Sequence, residues 1–305
     1  MRITSPLQAP FVVIVVLNWN AWQETTKCVA DLLRLDYPRY RIMVVDNGSR
    51  DGSVEQLRAA FPELQVIEAG GNRGFGGGTN LGMRYALTEG ADLIWVVNND
   101  TDISPGCLSS LVSVLERNPS AGIIGPTVVS RSEGRPEPLN RFPPGVSRPS
   151  VPAAVAPADL ECLDTAPGAA MLLRRGVLDL LGGFDERYFH YFEDTDLCWR
   201  AWRAGWWVGR TAACTIGHGY ATSTRGARPM ELYYMVRNIL MFVSRASGLP
   251  VTVVLFRHPR VWTWALGPLF GLRSFRRPAV KLAVLRAVRD AVVGRVGRSP
   301  TYSPP

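Results

Sequence analysis

Four short runs rich in β-branched and other apolar residues constrain this fold more than any other feature of the chain. Residues 11–17 stop at Asn18, residues 41–45 at Asp46-Asn47-Gly48-Ser49, and residues 93–97 at Asn98-Asn99-Asp100; the fourth run is 64–67. The first of these, short and continuously apolar, reads as a strand buried on both faces, the habit of parallel sheets, and the other three read as further strands. Helical stretches follow them at 24–35 and 51–61, then to about residue 88 after a glycine-rich turn at 72–78, and at 105–117 with Pro105 in the first turn. Strands and helices alternating at this spacing predict an α/β domain with a mostly parallel central sheet. Ligands of open α/β sheets bind beyond the carboxyl ends of the strands. The polar clusters after the first, second and fourth runs should therefore converge on one crevice.

Residues 131–159 are rich in Pro, Ser, Arg and Ala without periodicity and read as a long surface loop. Order resumes at 161–174, where Pro167-Gly168-Ala169-Ala170 sets small residues in a row, as a close backbone approach requires. A strand at 207–217 leads to His218, a polar, glycine-containing mobile loop is expected at 219–228, and a helix at 231–245. Two apolar-basic segments follow, 249–275 and 278–296. In the second, Leu285, Val288, Val292 and Val296 share one helix face. The expected organisation is one α/β domain over 1–245 and a basic, amphipathic helical region over 246–305.

Charge divides the chain the same way. Residues 225–305 hold 14 Lys/Arg against two acids, a balance of +12, while residues 1–224 hold 20 against 24, a balance of −4. A basic tail on a near-neutral body meets polyanions. Here Phe256, Trp262, Trp264, Phe270 and Phe275 interleave with the arginines, which suits an anionic bilayer interface better than a nucleic-acid groove. Packing on the domain, or a homodimer interface, is the alternative. Five cysteines without a C-x-x-C spacing point to a reducing compartment and away from a cysteine-rich zinc site. Neither a signal peptide nor a run of membrane-spanning length is expected, and 47% hydrophobic residues exclude global disorder.

Four motifs carry chemistry. Glu193-Asp194-Thr195-Asp196, preceded by Phe189, Tyr191 and Phe192, puts three carboxylates at a helix start. It reads either as a general base at the floor of a pocket or as an acidic N-cap on an amphipathic helix. Asn98-Asn99-Asp100-Thr101-Asp102 can hold a divalent cation, Mg or Mn, that bridges two phosphates, or can form an Asx turn that caps the next helix. Residues 70–80, including Asn72 and Arg73, can bring backbone N–H groups to a diphosphate or form a flexible turn; no Walker pattern is present. His218, between two glycines and before the expected mobile loop, is a metal ligand or a structural histidine.

The order of these motifs closely resembles glycosyltransferase family 2, with its GT-A fold, and in particular the bacterial rhamnosyltransferase-type branch that acts on cell-surface glycans. The resemblance rests on residues 15–20, 44–49, 72–80, 98–101, 182–198, His218 and Tyr234-Met235-Val236-Arg237-Asn238, across residues 11–245. It departs at the metal motif, where Asn98 stands at the first position of the usual Asp-x-Asp. The resemblance implies an inverting, metal-dependent transfer from a nucleotide-sugar, with dTDP-rhamnose the first expected donor. Asp46 would contact the base with Asn18 nearby. Asn72, Arg73, Asn98 and Asn99 would lie against the donor, and Asp100 would bind the metal with Asp102 and His218. Asp194 would be the catalytic base, with Glu193 positioning it or the acceptor. Charge and place make Arg225 or Arg228 a clamp for the diphosphate. Together with the basic tail, this implies a polyprenyl-diphosphate-linked acceptor met at the inner face of the membrane by a cytoplasmic, peripheral enzyme, without nucleic acid. Two rivals remain: a nucleotide-dependent oxidoreductase, which the missing first-strand glycine fingerprint disfavours, and a membrane-binding protein with a degenerate body.

Overall fold

The computed structural model describes residues 8–138, 141–149, 157–219, 229–262 and 278–302. Its first half alternates β1 (Val12–Asn18), α1 (Trp22–Leu32), β2 (Tyr40–Asp46), α2 (Ser53–Ala60), β3 (Gln65–Glu68), α3 (Gly74–Thr88) and β4 (Leu93–Asn98). These strands pair in parallel in the order β3-β2-β1-β4, and β1 and β4 expose no residue to solvent. Helices cover both faces, so the strands can be apolar throughout. In register, Asn18 lies opposite Asp46, and Leu17 opposite Asn98. The polar residues that end three strands thus stand side by side.

The sheet continues through β5 (Thr101–Asp102), β6 (Ala121–Ser130), β7 (Glu161–Cys162), β8 (Ala170–Arg174) and β9 (Trp207–His218), in the order β4-β8-β6-β9-β5 with β7 against β9. β8 runs antiparallel to both neighbours, while β6 and β9 are parallel to each other. The helices between are α4 (Cys107–Arg117), α5 (Arg175–Leu181) and α6 (Glu193–Arg203).

Two expectations are corrected. The glycine-rich turn expected at 72–78 is largely the first turn of α3. A Cβ on Gly82 would lie 2.4 Å from Val15 Cγ1, and one on Gly78 would lie 2.6 Å from Leu17 Cδ1. The glycines let α3 sit closer to the sheet than any side chain allows, and that packing outweighs their poor helix propensity. The segment 131–159 is not wholly a surface loop. Its start folds back on β6, with Ser130 N donating to Arg135 O and Glu137 N to Val128 O, and Phe142 is buried beside Phe242.

The chain then forms α7 (Pro229–Ser247), α8 (Val251–Arg257) and α9 (Pro278–Val292). The helix α9 packs on α7 through a face of small residues, Ala283, Ala287 and Ala291, and Tyr233 Oη donates to Asp290 Oδ2 at 2.8 Å. Of the expected apolar face, Leu285 is 68% exposed, Val292 42% and Val296 47%, while Val288 packs against the core, as Val284 does, and Val280 is buried. Among the described residues no single helix is long and apolar enough to cross a membrane; α7 and α8 meet that measure only as a pair bent by 92°, and α7 is largely buried in the protein. Residues 263–277, with Trp264, Phe270 and Phe275, lie outside the described residues.

Candidate active site

The crevice begins where β1, β2 and β4 end. Asn18 is fully buried and acts as a hub: its amide donates to Asp46 Oδ1 at 2.8 Å and Ser49 Oγ at 3.1 Å, and its oxygen accepts from Thr25 Oγ1 at 2.7 Å. The other Asp46 oxygen accepts from the backbone N–H groups of Gly48 and Ser49. A buried carboxylate is tolerable with that many donors. The pair holds the 46–49 loop in shape from beneath.

Next to it, Asn47 links the loop to α3, accepting from Arg73 N at 2.9 Å and donating to Gly74 O at 3.1 Å. Asn72 Oδ1 receives Gly74 N at 2.9 Å, which satisfies one of the donors left free at the start of α3. The Arg73 guanidinium turns back to Ala69 O, at 2.9 Å, and is not among the residues lining the cleft.

The cleft holds about 360 Å³ and is walled by Trp19, Phe75, Phe189, Met230 and Tyr234, with Asn47, Asn72, Asn98, Asn99, Asp100 and His190 supplying its polar groups. Apolar walls with a few converging polar groups are the usual form of a small-molecule site. The sequence reading had not assigned Asn47, His190 or the aromatic walls to the site. Their signal was there in part, since Asn47 stands within a strand-end cluster.

At the end of β4, Asn99 donates to Thr25 Oγ1 at 2.8 Å, and Asp100 faces His218 from the end of β9, Oδ1 to Nε2 being 3.2 Å. The β5–β9 pairing, with Thr101 opposite His218, brings these distant residues together. Glu137, from the segment expected to be a loop, holds the other ring nitrogen at 2.8 Å. Burial opposes charge on the His218 ring, but hydrogen bonds and attraction from Asp100 and Glu137 outweigh it and raise its pKa to about 9. Asp102 is engaged elsewhere. It is exposed and receives both Arg131 Nε and Nη2 at 2.5 Å, so the structure separates it from Asp100 and His218. Arg225 and Arg228 lie outside the described residues.

Among the described residues no cluster of three or more His, Cys, Asp or Glu is arranged to hold a metal. A cation that also binds a diphosphate needs only one or two protein carboxylates. The donors present fit that case: the Asp100 carboxylate, Asn98 Oδ1, a buried oxygen with no hydrogen-bond partner among the described residues, and His218 Nε2 once a cation displaces the proton that Asp100 and Glu137 hold on the ring.

The acidic segment opens α6. Its three carboxylates have three different environments. Asp196 is fully buried, bound by Arg200 Nε at 2.7 Å and Arg245 Nη1 at 2.6 Å, a structural ion-pair network. Glu193 is buried with Oε2 unpartnered among the described residues; burial first, and Asp194 beside it second, push its pKa up to about 8. Asp194 is partly exposed. Burial raises its pKa, while Thr195 N, donating at 2.6 Å, and the Thr195 hydroxyl pull the other way. A Cβ on Gly168 would lie 2.6 Å from Asp194 Oδ2, so only glycine lets the backbone come this close to the carboxylate; neither Asp194 nor Glu193 is among the residues lining the cleft. The neighbouring Ala169 O accepts Asn98 N at 2.9 Å, which ties the segment packed on Asp194 to the Asn98–Asp100 turn.

A sheet with this strand order, a crevice at its carboxyl edge, an acidic turn after β4 and a carboxylate pair at a helix start define the GT-A class of nucleotide-sugar-dependent transferases. The chain belongs to glycosyl transferase family 2, whose model matches residues 12–181, and it is a glycosyltransferase. It is 30% identical over 277 residues to an N-acetylglucosaminyl-diphospho-decaprenol L-rhamnosyltransferase of Mycobacterium tuberculosis, covering 82% of this chain and 88% of that one. It is 23% identical over 212 residues to a dTDP-rhamnosyl transferase of Shigella flexneri, covering 67% and 71%. In fold it is similar to a mannosyltransferase of Pyrobaculum calidifontis in complex with GDP-Man and Mn2+, with a TM-score of 0.59 at 15% identity, covering 95% and 88%. The oxidoreductase alternative gives way to the family match.

Proposed function

We propose that the protein transfers a deoxyhexose, L-rhamnose from dTDP-rhamnose, to a hydroxyl of a polyprenyl-diphosphate-linked glycan, with inversion at the anomeric carbon. The observation that carries this reading is the half-buried Asp194 at the start of α6, set against Gly168, one residue before Ala169, whose carbonyl accepts Asn98 N at 2.9 Å beside Asp100. The two similar rhamnosyltransferases favour the sugar and the lipid-linked acceptor.

Asp194 accepts the proton of the acceptor hydroxyl as its oxygen attacks the anomeric carbon. The bond from that carbon to the diphosphate oxygen breaks, and its electron pair leaves with the nucleoside diphosphate. A positioned base contributes about 10²–10⁴-fold. Glu193, protonated at neutral pH by its burial, keeps a second negative charge away from Asp194. Asn72 and Asn99 would meet the polar parts of the donor from the cleft wall, and Trp19 and Phe75 would wall its apolar parts. Asp100, Asn98 Oδ1 and His218 Nε2 would hold the divalent cation, which supplies positive charge to offset the leaving diphosphate. The outward face of α9, with Lys281, Arg286, Arg289 and Arg295 among its apolar residues, would rest on the anionic inner surface of the membrane, where such an acceptor lies.

The test is a donor panel, with dTDP-rhamnose, UDP-N-acetylglucosamine and GDP-mannose each offered with a short-chain prenyl-diphosphate N-acetylglucosamine acceptor. Transfer from dTDP-rhamnose alone, with inverted configuration by NMR and loss of activity in EDTA restored by Mn, is expected. Transfer with retention would remove Asp194 as a base acting in a single displacement. Preference for another donor would replace the sugar, and full activity in EDTA would remove the cation.

A further inference from the structure

The backbone that leads into α6 is strained. Phe189, Tyr191 and Phe192 all adopt left-handed φ values, 64°, 67° and 76°, where side chains other than glycine's are disfavoured. Such a conformation persists only where its surroundings over-determine it. Here the surroundings are two buried residues of α7. Asn238 Nδ2 donates to Tyr188 O at 2.9 Å, His190 O at 2.8 Å and Tyr191 O at 2.8 Å. Arg237 Nη2 donates to Tyr188 O at 2.9 Å and Arg187 O at 3.3 Å, and its Nε donates to Asn238 Oδ1 at 2.9 Å, which fixes the amide with its NH₂ toward the loop. Phe189 O is taken by Phe75 N at 2.8 Å from the first turn of α3. A Cβ on Gly74 would lie 2.2 Å from that same Phe189 oxygen, so the two cleft walls close on each other only through glycine.

Arg237 is 1% exposed, and its partners named here are carbonyls, an amide and the ring faces of Tyr233 and Tyr234, with no carboxylate among them. A buried cation placed on backbone carbonyls suits the shaping of a loop better than an ion pair. The third arm of its fork, Nη1, donates to Gly297 O at 2.7 Å, while Gly297 N donates to Arg187 O at 2.7 Å. The segment after α9 therefore completes the clamp.

We propose that Arg237 and Asn238 are positioning residues for the transfer: with the Gly297 carbonyl, they hold residues 187–192 in the left-handed path that starts α6 and so set Asp194 against the cleft. The inference rests on the reading of Asp194 as the base. It assigns to the C-terminal segment a part in the active site that is separate from any membrane contact.

The test is a cycle on the full chain. Asn238→Asp keeps size and shape but replaces the three donor contacts by an acceptor. Arg237→Lys keeps the cation and loses the fork. Each is expected to lower kcat, by roughly 100-fold and 10-fold respectively, while the donor KM stays within about 3-fold. In the Asp194→Asn background, Asn238→Asp should cost little more, because both act through one group. Amide exchange of residues 187–193 should quicken in both single variants while the β1 and β4 amides stay protected. A folded Asn238→Asp protein with wild-type kcat and unchanged exchange overturns the proposal, as does a full additional loss on top of Asp194→Asn. Normal turnover in Asp194→Asn alone would instead defeat the reading of the base; quickened exchange of 187–193 would still support the clamp, and unchanged exchange would overturn it.

Discussion

Three carboxylates within four residues looked alike in the sequence, and their difference comes from side chains far away in the chain. Asp196 is claimed by Arg245, 49 residues on. Asp194 lies against the backbone of Gly168, where any side chain would meet its carboxylate, and Glu193 packs against Gly76. Apart from Arg200, one helical turn on from Asp196, these partners are distant in the chain, so spacing alone left the base and the N-cap as equal readings. Glu193 gives a test of that burial. Its pKa rises from 4.5 to about 8 on folding, so the native state holds a proton that the unfolded state releases. Any stability this proton confers is complete below pH 4.5 and is lost as pH rises through about 8. Glu193→Gln carries no such penalty. Its melting temperature should match wild type near about pH 5 and exceed it increasingly toward about pH 8. A difference that stays constant over that range, followed by scanning calorimetry, would show Glu193 to be ionised throughout.

Among the elements, the strands were the most legible. β1, β2 and β4 stand within a residue or so of their apolar runs, because a buried parallel strand writes its whole length in hydrophobicity. Their register put Asn18, Asp46 and Asn98 together as the strand-end rule required. The start of α3 was not legible, because glycine punctuates turns far more often than it fills a helix. Only the closeness of Val15 and Leu17 explains the glycines there. Glu137 was equally hidden: its place depends on a fold-back onto β6 within a segment that carries no periodic signal. Gly82→Val should push α3 off β1 and β2, where the new side chain meets Val15 and Val45. Overpacking of this kind typically costs about 1–3 kcal/mol. Urea unfolding should show a lower midpoint with an unchanged slope. A midpoint equal to wild type would mean that α3 has room the structure does not show.

At the scale of the whole molecule, the C-terminal region presents two faces, and the proposed membrane contact concerns the outer one. The expected apolar face of the last helix is divided, with Val288 packed against the core while Leu285, Val292 and Val296 stay exposed, so composition showed amphipathicity without showing which side the domain would take. That choice leaves Leu282, Leu285, Val292, Val293 and Val296 exposed, a row of bulky apolar side chains on a basic helix and its end. A single exposed leucine is ordinary; a row flanked by Lys281, Arg286, Arg289 and Arg295 is a surface that fits an anionic bilayer. In the proposed membrane contact each basic residue near the surface would contribute up to about 1 kcal/mol; Arg289 and Arg295 already pair with Asp290 and Arg286 lies over Tyr302, so the inserted apolar side chains would carry a share of the binding. Truncation is a poor test, because a chain ending near Arg245 also loses the Gly297 carbonyl and with it an arm of the Arg237 fork. The double substitution Leu285→Glu with Val293→Glu alters the outward face alone. Wild type should co-sediment with vesicles containing phosphatidylglycerol and come off in high salt, and the double variant should bind at least about 10-fold more weakly. Turnover on a water-soluble acceptor analogue should be equal in the two proteins, while turnover on a long-chain acceptor in vesicles should fall in the variant. Equal vesicle binding by both would reject the membrane contact. A wild-type dimer that the double substitution turns into a monomer, seen by analytical ultracentrifugation, would assign the same face to a second copy of the chain.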